Sequence, residues 1–239
     1  MENIDRNSGY FEITHTGVAA FVPASARRLL SLGCGTGATE AFLKEQFALE
    51  TVVGVEVEPD IAASAEAVLD AVHVGDVEAL ELPYPPGHFD MILCLDVLEH
   101  LRDPWRVVQD RLYPLLAPGG VLVVSLPNVR YWMVFWRLFW GRWGYARRGI
   151  LDKGHLRFFT PSTAREMLAG AGFSAITLHR KYRLYDSLGD KPSGRLVGAV
   201  TRRIMPVLTR LRFFDVFFPL RDFFTFQIVL VAHKSQDGR

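Results

Sequence analysis

The sequence has 239 residues, of which 49% are hydrophobic and 12% aromatic, and this composition excludes an intrinsically disordered chain. The length allows one substantial α/β domain and is too short for two large ones. The net charge of +1 conceals a division, because residues 1–120 carry 7 Lys/Arg against 19 Asp/Glu while residues 121–239 carry 20 against 7. The basic half indicates an anionic partner, unless the two halves neutralise each other across the folded surface.

The start of the chain and its cysteines predict where the protein works. The first residues have neither the basic start nor the apolar run of a signal peptide. No apolar stretch reaches the roughly 20 residues that span a bilayer. Two cysteines, Cys34 and Cys94, are too few for a disulfide framework and indicate a reducing compartment. We expect a cytoplasmic protein, with peripheral attachment to the inner membrane face as an option.

Residues 28–37 combine a buried-strand pattern with a glycine-rich turn, and a helical pattern begins near Thr39. Gly33, Gly35 and Gly37 let the backbone adopt positive φ and approach a ligand closely. The helix that follows directs its free N–H groups at the same place. This spacing also satisfies the fingerprint of a nicotinamide dinucleotide site. The glycine turn alone therefore does not identify the ligand, and the residues at the ends of the following strands are needed to distinguish the two kinds of site.

Four more strand patterns follow, at residues 51–56, 71–77, 89–95 and 121–125. Helical patterns at 39–47, 59–69 and 104–116 alternate with them, which predicts a parallel sheet with helices on both faces. Glu56 ends one strand, where it can accept both ribose hydroxyls, and Asp76 ends another, where it can accept from an adenine amino group. Ligands bind beyond the carboxyl ends of such strands, which is where the glycine turn, Glu56, Asp76 and Asp96 fall.

In this combination the chain resembles the class I S-adenosylmethionine-dependent methyltransferases over residues 28–182 and a last strand near 224–234. The resemblance rests on the glycine turn at 33–37, Glu56, the Gly75-Asp76-Val77 corner, the segment 96–101 and the Pro118-Gly-Gly turn. It implies an α/β fold with a doubly wound, seven-stranded, mostly parallel sheet of the Rossmann-like type, whose last strand lies antiparallel between the fifth and sixth. One departure is Ser31, which stands where the family usually has an acid, so contact with the amino-acid end of the cofactor is expected to be weaker or water-mediated.

The resemblance also implies the cofactor, S-adenosylmethionine, and a single domain at 28–239. The residues implied to bind the cofactor are Gly33, Gly35, Gly37, Glu56, Val57, Asp76, Val77, Leu95 and Asp96. Residues 1–27 are expected to form a segment that folds over the cofactor, with Tyr10, Phe11 and His15 as its lid residues. Packing on the solvent side is the alternative for these three.

Two segments depart from the strand–helix rhythm. In 129–160, tryptophans 132, 136, 140 and 143 recur at steps of four, four and three with arginines interleaved, which predicts one helical stripe. We expect an aromatic, basic cap over the substrate, and the alternative is a stripe packed into the protein's own core. Residues 183–222 show a basic amphipathic pattern typical of interfacial helices, although a dimer interface or a local core gives the same pattern.

His100 and His155 are the candidate bases, since the pKa of an imidazole lies near the working pH. Asp96, Glu99 and His100 are spaced to share one face of a helical turn, and His155 can come opposite them. Such a set is acceptable to a hard cation or zinc. It is similar to the acid-x-x-Glu-His segment of small-RNA 2′-O-methyltransferases and of metal-assisted quinone-pathway O-methyltransferases. In the alternative, Glu99 and His100 only hold the loop and the sheet together.

Three functions follow from these patterns. The first is O-methylation of an amphiphilic or lipid-linked small molecule, such as a prenylated quinone or a glycolipid hydroxyl, with an anionic membrane surface as a candidate partner. The second is RNA 2′-O-methylation, for which the basic half and the aromatic residues would supply a groove. The lack of a separate RNA-binding module disfavours nucleic acid. The third is a cofactor-binding accessory subunit without catalysis.

Overall fold

The computed structural model describes residues 15–182 and 220–236, which form a seven-stranded sheet with helices on its faces. The strands are β1 (Arg28–Leu32), β2 (Thr51–Glu56), β3 (Ala71–Val74), β4 (Phe89–Leu95), β5 (Leu116–Pro127), β6 (Ser174–Tyr182) and β7 (Thr225–His233). The α-helices are α1 (Ala38–Phe47), α2 (Pro59–Glu66), α3 (Pro104–Arg106), α4 (Tyr113–Leu115), α5 (Trp132–Phe139), α6 (Pro161–Gly170) and α7 (Leu220–Phe224). Short 3₁₀ helices span Thr16–Phe21 and Leu98–His100.

The strand order is β3-β2-β1-β4-β5-β7-β6. Strands β1 to β5 pair in parallel, while β7 lies antiparallel between β5 and β6. The predicted fold class and the position of the last strand are therefore confirmed. The order reverses between β1 and β4, and in open α/β sheets the crevice at such a switch point is the place where ligands bind.

Two apolar layers cover the sheet. Side chains alternate along β1, so Leu30 and Leu32 belong to one layer and Leu29 belongs to the other, which also contains Leu43 of α1. These four leucines are no more than 1% exposed. Hydrophobic runs such as that of β1 are typical of parallel strands buried on both faces. Cys34 and Cys94 are both buried and free.

The helical pattern at 104–116 differs from a regular α-helix. A π-helical turn, Val107–Leu112, separates α3 from α4. The amide of Tyr113 donates to the carbonyl of Val108, five residues earlier. The next residue, Pro114, has no N–H to donate, and a proline in a helix disturbs the regular hydrogen bonding around it. The strand expected at 121–125 is longer than predicted, since β5 also includes the Pro118-Gly-Gly turn.

Several expectations fall outside the described residues. These are the lid residues Tyr10 and Phe11 and most of the basic amphipathic segment at 183–222. Within the part of the chain that the structure does describe, no helix combines the length and the apolar character that crossing a membrane requires.

Candidate active site

The glycine turn after β1 has the close backbone geometry that the sequence predicts. Gly33, Gly35 and Gly37 have φ of 64°, 56° and 77°. A Cβ added at Gly33 would lie 2.5 Å from Cγ2 of Val97. Both this close contact and the positive φ therefore disfavour a side chain at Gly33. The amides of Gly33 and Cys34 both donate to the carbonyl of Val55, at 2.8 and 3.1 Å, which ties the turn to β2.

Glu56 ends β2 and faces the glycine turn. Its Oε2 accepts from the amide of Gly35 at 2.9 Å, and its Oε1 accepts from the amides of Val57 and Glu58 at 2.9 and 3.2 Å. A carboxylate has about four acceptor positions, so contact with a ribose would add to these bonds or replace some of them. Val57, the neighbouring predicted contact, is 57% exposed. The cofactor roles of both residues stay predictions.

Asp76 and Val77 follow the short strand β3. Asp76 is exposed, and its Oδ1 accepts from the amide of Glu78 at 2.8 Å, while its carbonyl accepts from Ala79 and Leu80. Val77 is partly buried against the apolar layer of β4. The corner therefore lies beyond the carboxyl end of its strand as expected, and binding of adenine there stays a prediction.

Asp96 follows β4, and its side chain is hydrogen-bonded to residues of β5 and β7. Its φ is 57°, in the left-handed region. Its Oδ1 accepts from Oγ of Ser125 at 3.0 Å, and Nε2 of Gln227 donates to Oδ1 and Oδ2 at 2.6 and 2.9 Å. Leu95, beside it, packs against the apolar layer that includes Leu93. The group of ligand atoms that converge, from Glu99, His100 and His155, does not include Asp96, whose carboxylate is hydrogen-bonded to β5 and β7.

The predicted bases His100 and His155 meet in space, although 54 residues of sequence lie between them. Their ring centroids are 4.8 Å apart and their planes are inclined by 73°. Nδ1 of His100 lies 3.0 Å from the carbonyl oxygen of Gly154, and Nδ1 of His155 lies 3.0 Å from that of Ile150. A carbonyl only accepts, so each Nδ1 donates and each neutral ring keeps its lone pair on Nε2. Burial lowers the pKa of His155, while its bond to Ile150 opposes the shift.

Glu99 lies beside the two histidines and is 1% exposed. Burial raises the pKa of its carboxyl well above the usual value, and the negative charge of Asp96 adds to the rise. Its backbone carbonyl accepts from the amides of Leu156 and Arg157 at 2.8 and 2.9 Å, so the main chain holds the loop in place. The side-chain atom Oε2 is buried and has no hydrogen-bond partner among the described residues. The backbone of Glu99 is enough to hold the loop, so a role in holding the loop does not explain why a carboxyl group is buried at this position.

A cation is one explanation that the donor set fits. One ligand atom from each of Glu99, His100 and His155 lies within 4.8 Å of the others. Two imidazole nitrogens and one carboxylate oxygen, with further positions open, are a set that zinc and related divalent ions accept. The orphaned Oε2 of Glu99 supports this fit, because a buried carboxylate without a partner is costly.

His15 immediately precedes the 3₁₀ helix at the amino end of the described chain. Its amide donates to Oγ1 of Thr39 at 3.0 Å, which places this residue over the first turn of α1. Burial lowers the pKa of its side chain, and the charge of Asp96 opposes that shift. His15 therefore lies where a lid over the glycine turn would begin, and its lid role stays a prediction.

Most of the tryptophan-rich segment is exposed, although Trp132 packs against a small buried cluster that includes Tyr131 and Val134. Trp136, Phe139 and Trp140 are 54%, 67% and 61% exposed, and their rings contact one another. The core alternative is therefore wrong for these residues. The single helical stripe is also wrong, because α5 ends at Phe139. Trp143, beyond the helix, contacts Phe158, which in turn contacts His155.

The sequence analysis missed two residues of this region, Gln227 and Glu40. Gln227 lies 131 positions from Asp96 and is brought to it only by the insertion of β7 beside β5. Glu40 is 3% exposed, and its Oε1 accepts a 2.5 Å hydrogen bond from Ser31. A glutamate on the first turn of a helix carries no local signal of burial.

Comparison with known proteins gives one consistent family. A family model described as a methyltransferase domain matches residues 6–178. A ubiquinone biosynthesis O-methyltransferase of Psychrobacter arcticus is 31% identical over 176 residues, which cover 70% of this chain and 66% of that protein. The match thus spans slightly less than two thirds of that relative. A demethylmenaquinone methyltransferase of Thermus thermophilus is 32% identical over 167 residues, covering 62% of this chain and 74% of that protein.

The solved structures agree on the fold. The crystal structure of a SAM-dependent methyltransferase from Archaeoglobus fulgidus matches with a TM-score of 0.62 and 17% identity, and the match covers 95% of this chain and 97% of that one. The chain belongs to the class I S-adenosylmethionine-dependent methyltransferases.

Proposed function

We propose that the protein transfers a methyl group from S-adenosylmethionine to an oxygen atom of an amphiphilic, lipid-linked small molecule. The observation that carries this proposal is the exposed aromatic surface of Phe135, Trp136, Phe139 and Trp140, which we call the aromatic patch. It follows β5 directly, and ring contacts from Trp143 through Phe158 connect the same segment to the paired histidines. The relatives named for quinone pathways support an acceptor of this class.

Different residues of the chain are proposed to bind the cofactor and to remove the proton of the acceptor. In this proposal the glycine turn, Glu56 and Asp76 hold the nucleoside at the switch point of the sheet, which the positive φ of the glycines and the bond from Gly35 to Glu56 support. The cofactor supplies an activated methyl group, so the protein mainly has to align the acceptor oxygen and remove its proton. The Nε2 atoms of His100 and His155 are the proton acceptors in this proposal, since both Nδ1 atoms donate to carbonyl groups.

As an alternative use of the same residues, we propose that Glu99, His100 and His155 hold a divalent cation, in which case the two Nε2 atoms bind the ion instead of accepting a proton. Such an ion would polarise the acceptor oxygen and lower the pKa of its hydroxyl, which meets the same need as an imidazole base. Support comes from the convergence of the three ligand atoms and from the unpartnered Oε2 of Glu99.

The location is proposed to be the cytoplasm, at the inner face of the membrane. Arg137 lies within the aromatic patch and Arg142 follows it, and aromatic rings with basic residues suit the interface of an anionic bilayer.

An acceptor assay tests the proposed function. Purified protein is incubated with methyl-labelled S-adenosylmethionine and one of three acceptors: a prenylated catechol in detergent micelles, the same catechol without its prenyl tail, or a single-stranded RNA. We expect label on the prenylated catechol, with a higher kcat/KM than on the tailless compound. Label on RNA alone would overturn the proposal. Cofactor binding without any methyl transfer would favour the accessory subunit instead.

A further inference from the structure

Ser31 and Glu40 form a buried polar pair inside the apolar layer between β1 and α1. Ser31 lies on the same side of β1 as Leu29, and Glu40 lies on the first turn of α1, three residues after the glycine turn ends. Oγ of Ser31 donates to Oε1 of Glu40 at 2.5 Å. The two residues are only 2% and 3% exposed.

The carboxyl group of Glu40 is incompletely partnered. Its Oε2 is buried and has no hydrogen-bond partner among the described residues. No lysine or arginine within 15–182 and 220–236 forms an ion pair with it. The titratable groups that face it are the Glu56 carboxylate and the Cys34 thiol, both of which are acidic.

A buried carboxyl beside other acids stays protonated unless a cation stabilises its charged form. The family's cofactor carries two positive centres, a sulfonium and an α-ammonium. The sulfonium has to present its methyl group to the acceptor, so a carboxylate enclosed between a strand and a helix cannot be its partner. The ammonium, in contrast, takes no part in the transfer and can be enclosed.

We infer that Glu40 binds the α-ammonium of the methionine part of S-adenosylmethionine through its Oε2, with Ser31 orienting the carboxylate through Oε1. Glu40 thereby supplies, from α1, the negative charge that Ser31 does not supply from β1. The amide of His15 donates to the side chain of Thr39, next to Glu40, so His15 lies against this end of α1. The assignment requires the cofactor but not any particular acceptor.

Calorimetry with two ligands tests the inference on binding alone. The ligands are S-adenosylhomocysteine and its analogue without the α-amino group. We expect Glu40→Gln to weaken binding of S-adenosylhomocysteine about 10- to 100-fold, the range of a hydrogen bond between charged groups. Binding of the deaminated analogue should change less than about twofold. Glu45→Gln, at an exposed position of the same helix, is the matched control and should leave both affinities unchanged.

A rescue variant separates binding from structure. Adding Ser31→Asp to Glu40→Gln returns a carboxylate to the same space and should restore most of the affinity for S-adenosylhomocysteine. Equal losses for the two ligands, or no loss for either, would overturn the role of Glu40. Failure of the wild-type protein to bind either ligand would overturn the cofactor itself, a result distinct from the first two. Circular dichroism of each variant confirms that it is folded before its affinity is compared.

Discussion

The imidazole of His100 meets that of His155 edge to face, with 4.8 Å between ring centroids, and each ring is fixed by a hydrogen bond from Nδ1 to a backbone carbonyl. The two rings come from a 3₁₀ turn after β4 and from the loop that follows α5. The two rings are fixed and lie side by side in space, and each leaves its Nε2 atom available. Together they form a centre that can accept a proton or bind an ion.

Replacement of either histidine should slow methyl transfer. We expect His100→Asn and His155→Asn each to lower kcat by about 10²- to 10⁴-fold, the usual contribution of a general base. Affinity for S-adenosylhomocysteine should stay the same, since neither residue is placed at the glycine turn. His88→Asn is the matched control, because His88 lies just before the amino end of β4, whereas His100 follows its carboxyl end. Loss of cofactor affinity in the two variants would contradict the assignment.

The pH profile gives a second measurement on His155. A base has to be neutral, and burial lowers the pKa of His155 below its ordinary 6.5. The acid limb of log kcat/KM against pH should therefore fall at a pH below 6.5. In His155→Asn this limb should disappear. A limb centred above 6.5 in the wild-type protein would point to a different base.

The proposed cation predicts a stabilising metal effect. Zinc or magnesium should raise Tm of the chelator-treated protein, because a ligand that binds only the folded state adds about 2.7 kcal/mol at 100 times its Kd. Glu99→Gln should remove most of this shift, since the buried carboxylate is the charged ligand of the set. Metal analysis of the purified protein checks occupancy. Activity that is unchanged in chelator, together with no Tm shift, would leave the imidazoles as bases and eliminate the ion.

The ionisation of Glu40 should make the unliganded protein less stable as pH rises. Burial raises the pKa of this carboxyl from its ordinary 4.5 to about 7, so between these values the unfolded chain releases a proton that the folded chain retains. The contribution of Glu40 to folding is thus complete below about pH 4.5 and lost as pH rises to about 7, by roughly 3 kcal/mol.

Denaturant unfolding of wild type and Glu40→Gln at a series of pH values measures this effect. The difference in unfolding free energy between the two proteins should move in favour of the glutamine variant across that window, and S-adenosylhomocysteine should reduce the movement in the wild type. Parallel pH dependence of the two proteins would show that Glu40 does not titrate there.

The aromatic patch should control attachment to membranes. Trp136→Ala and Trp140→Ala should each weaken flotation with vesicles that contain anionic lipid by roughly 10- to 100-fold, since each removes on the order of 100 Å² of apolar contact. Trp105→Ala is the control, because Trp105 is 45% exposed but lies on α3. Equal loss in all three variants, or no flotation of the wild type, would argue that the patch meets the acceptor or a protein instead.

Local patterns were enough to predict the sheet and the glycine turn. The strand around Leu30 is a short apolar run, and the residue type of Gly33 and Gly37 alone indicates a turn. The pairing of Ser31 with Glu40 was not predictable, because helix propensity does not tell which face of α1 turns inward. Gln227 was missed for another reason: its partner Asp96 is far away in sequence, and only strand order brings the two together. The tryptophan periodicity predicted a helix, but periodicity does not distinguish a buried stripe from an exposed one.

The insertion of β7 between β5 and β6 makes one edge of the site dependent on a strand that is synthesised after β1 to β6. Among the described strands, β6 pairs only with β7, and the carboxylate of Asp96 acquires its amide donor from the same strand. While residues 225–233 are still within the ribosome, a nascent chain can assemble β1 to β5 but leaves Asp96 without this partner. The five parallel strands are thus the part that can fold first, and competence for methyl transfer should follow when β7 enters the sheet.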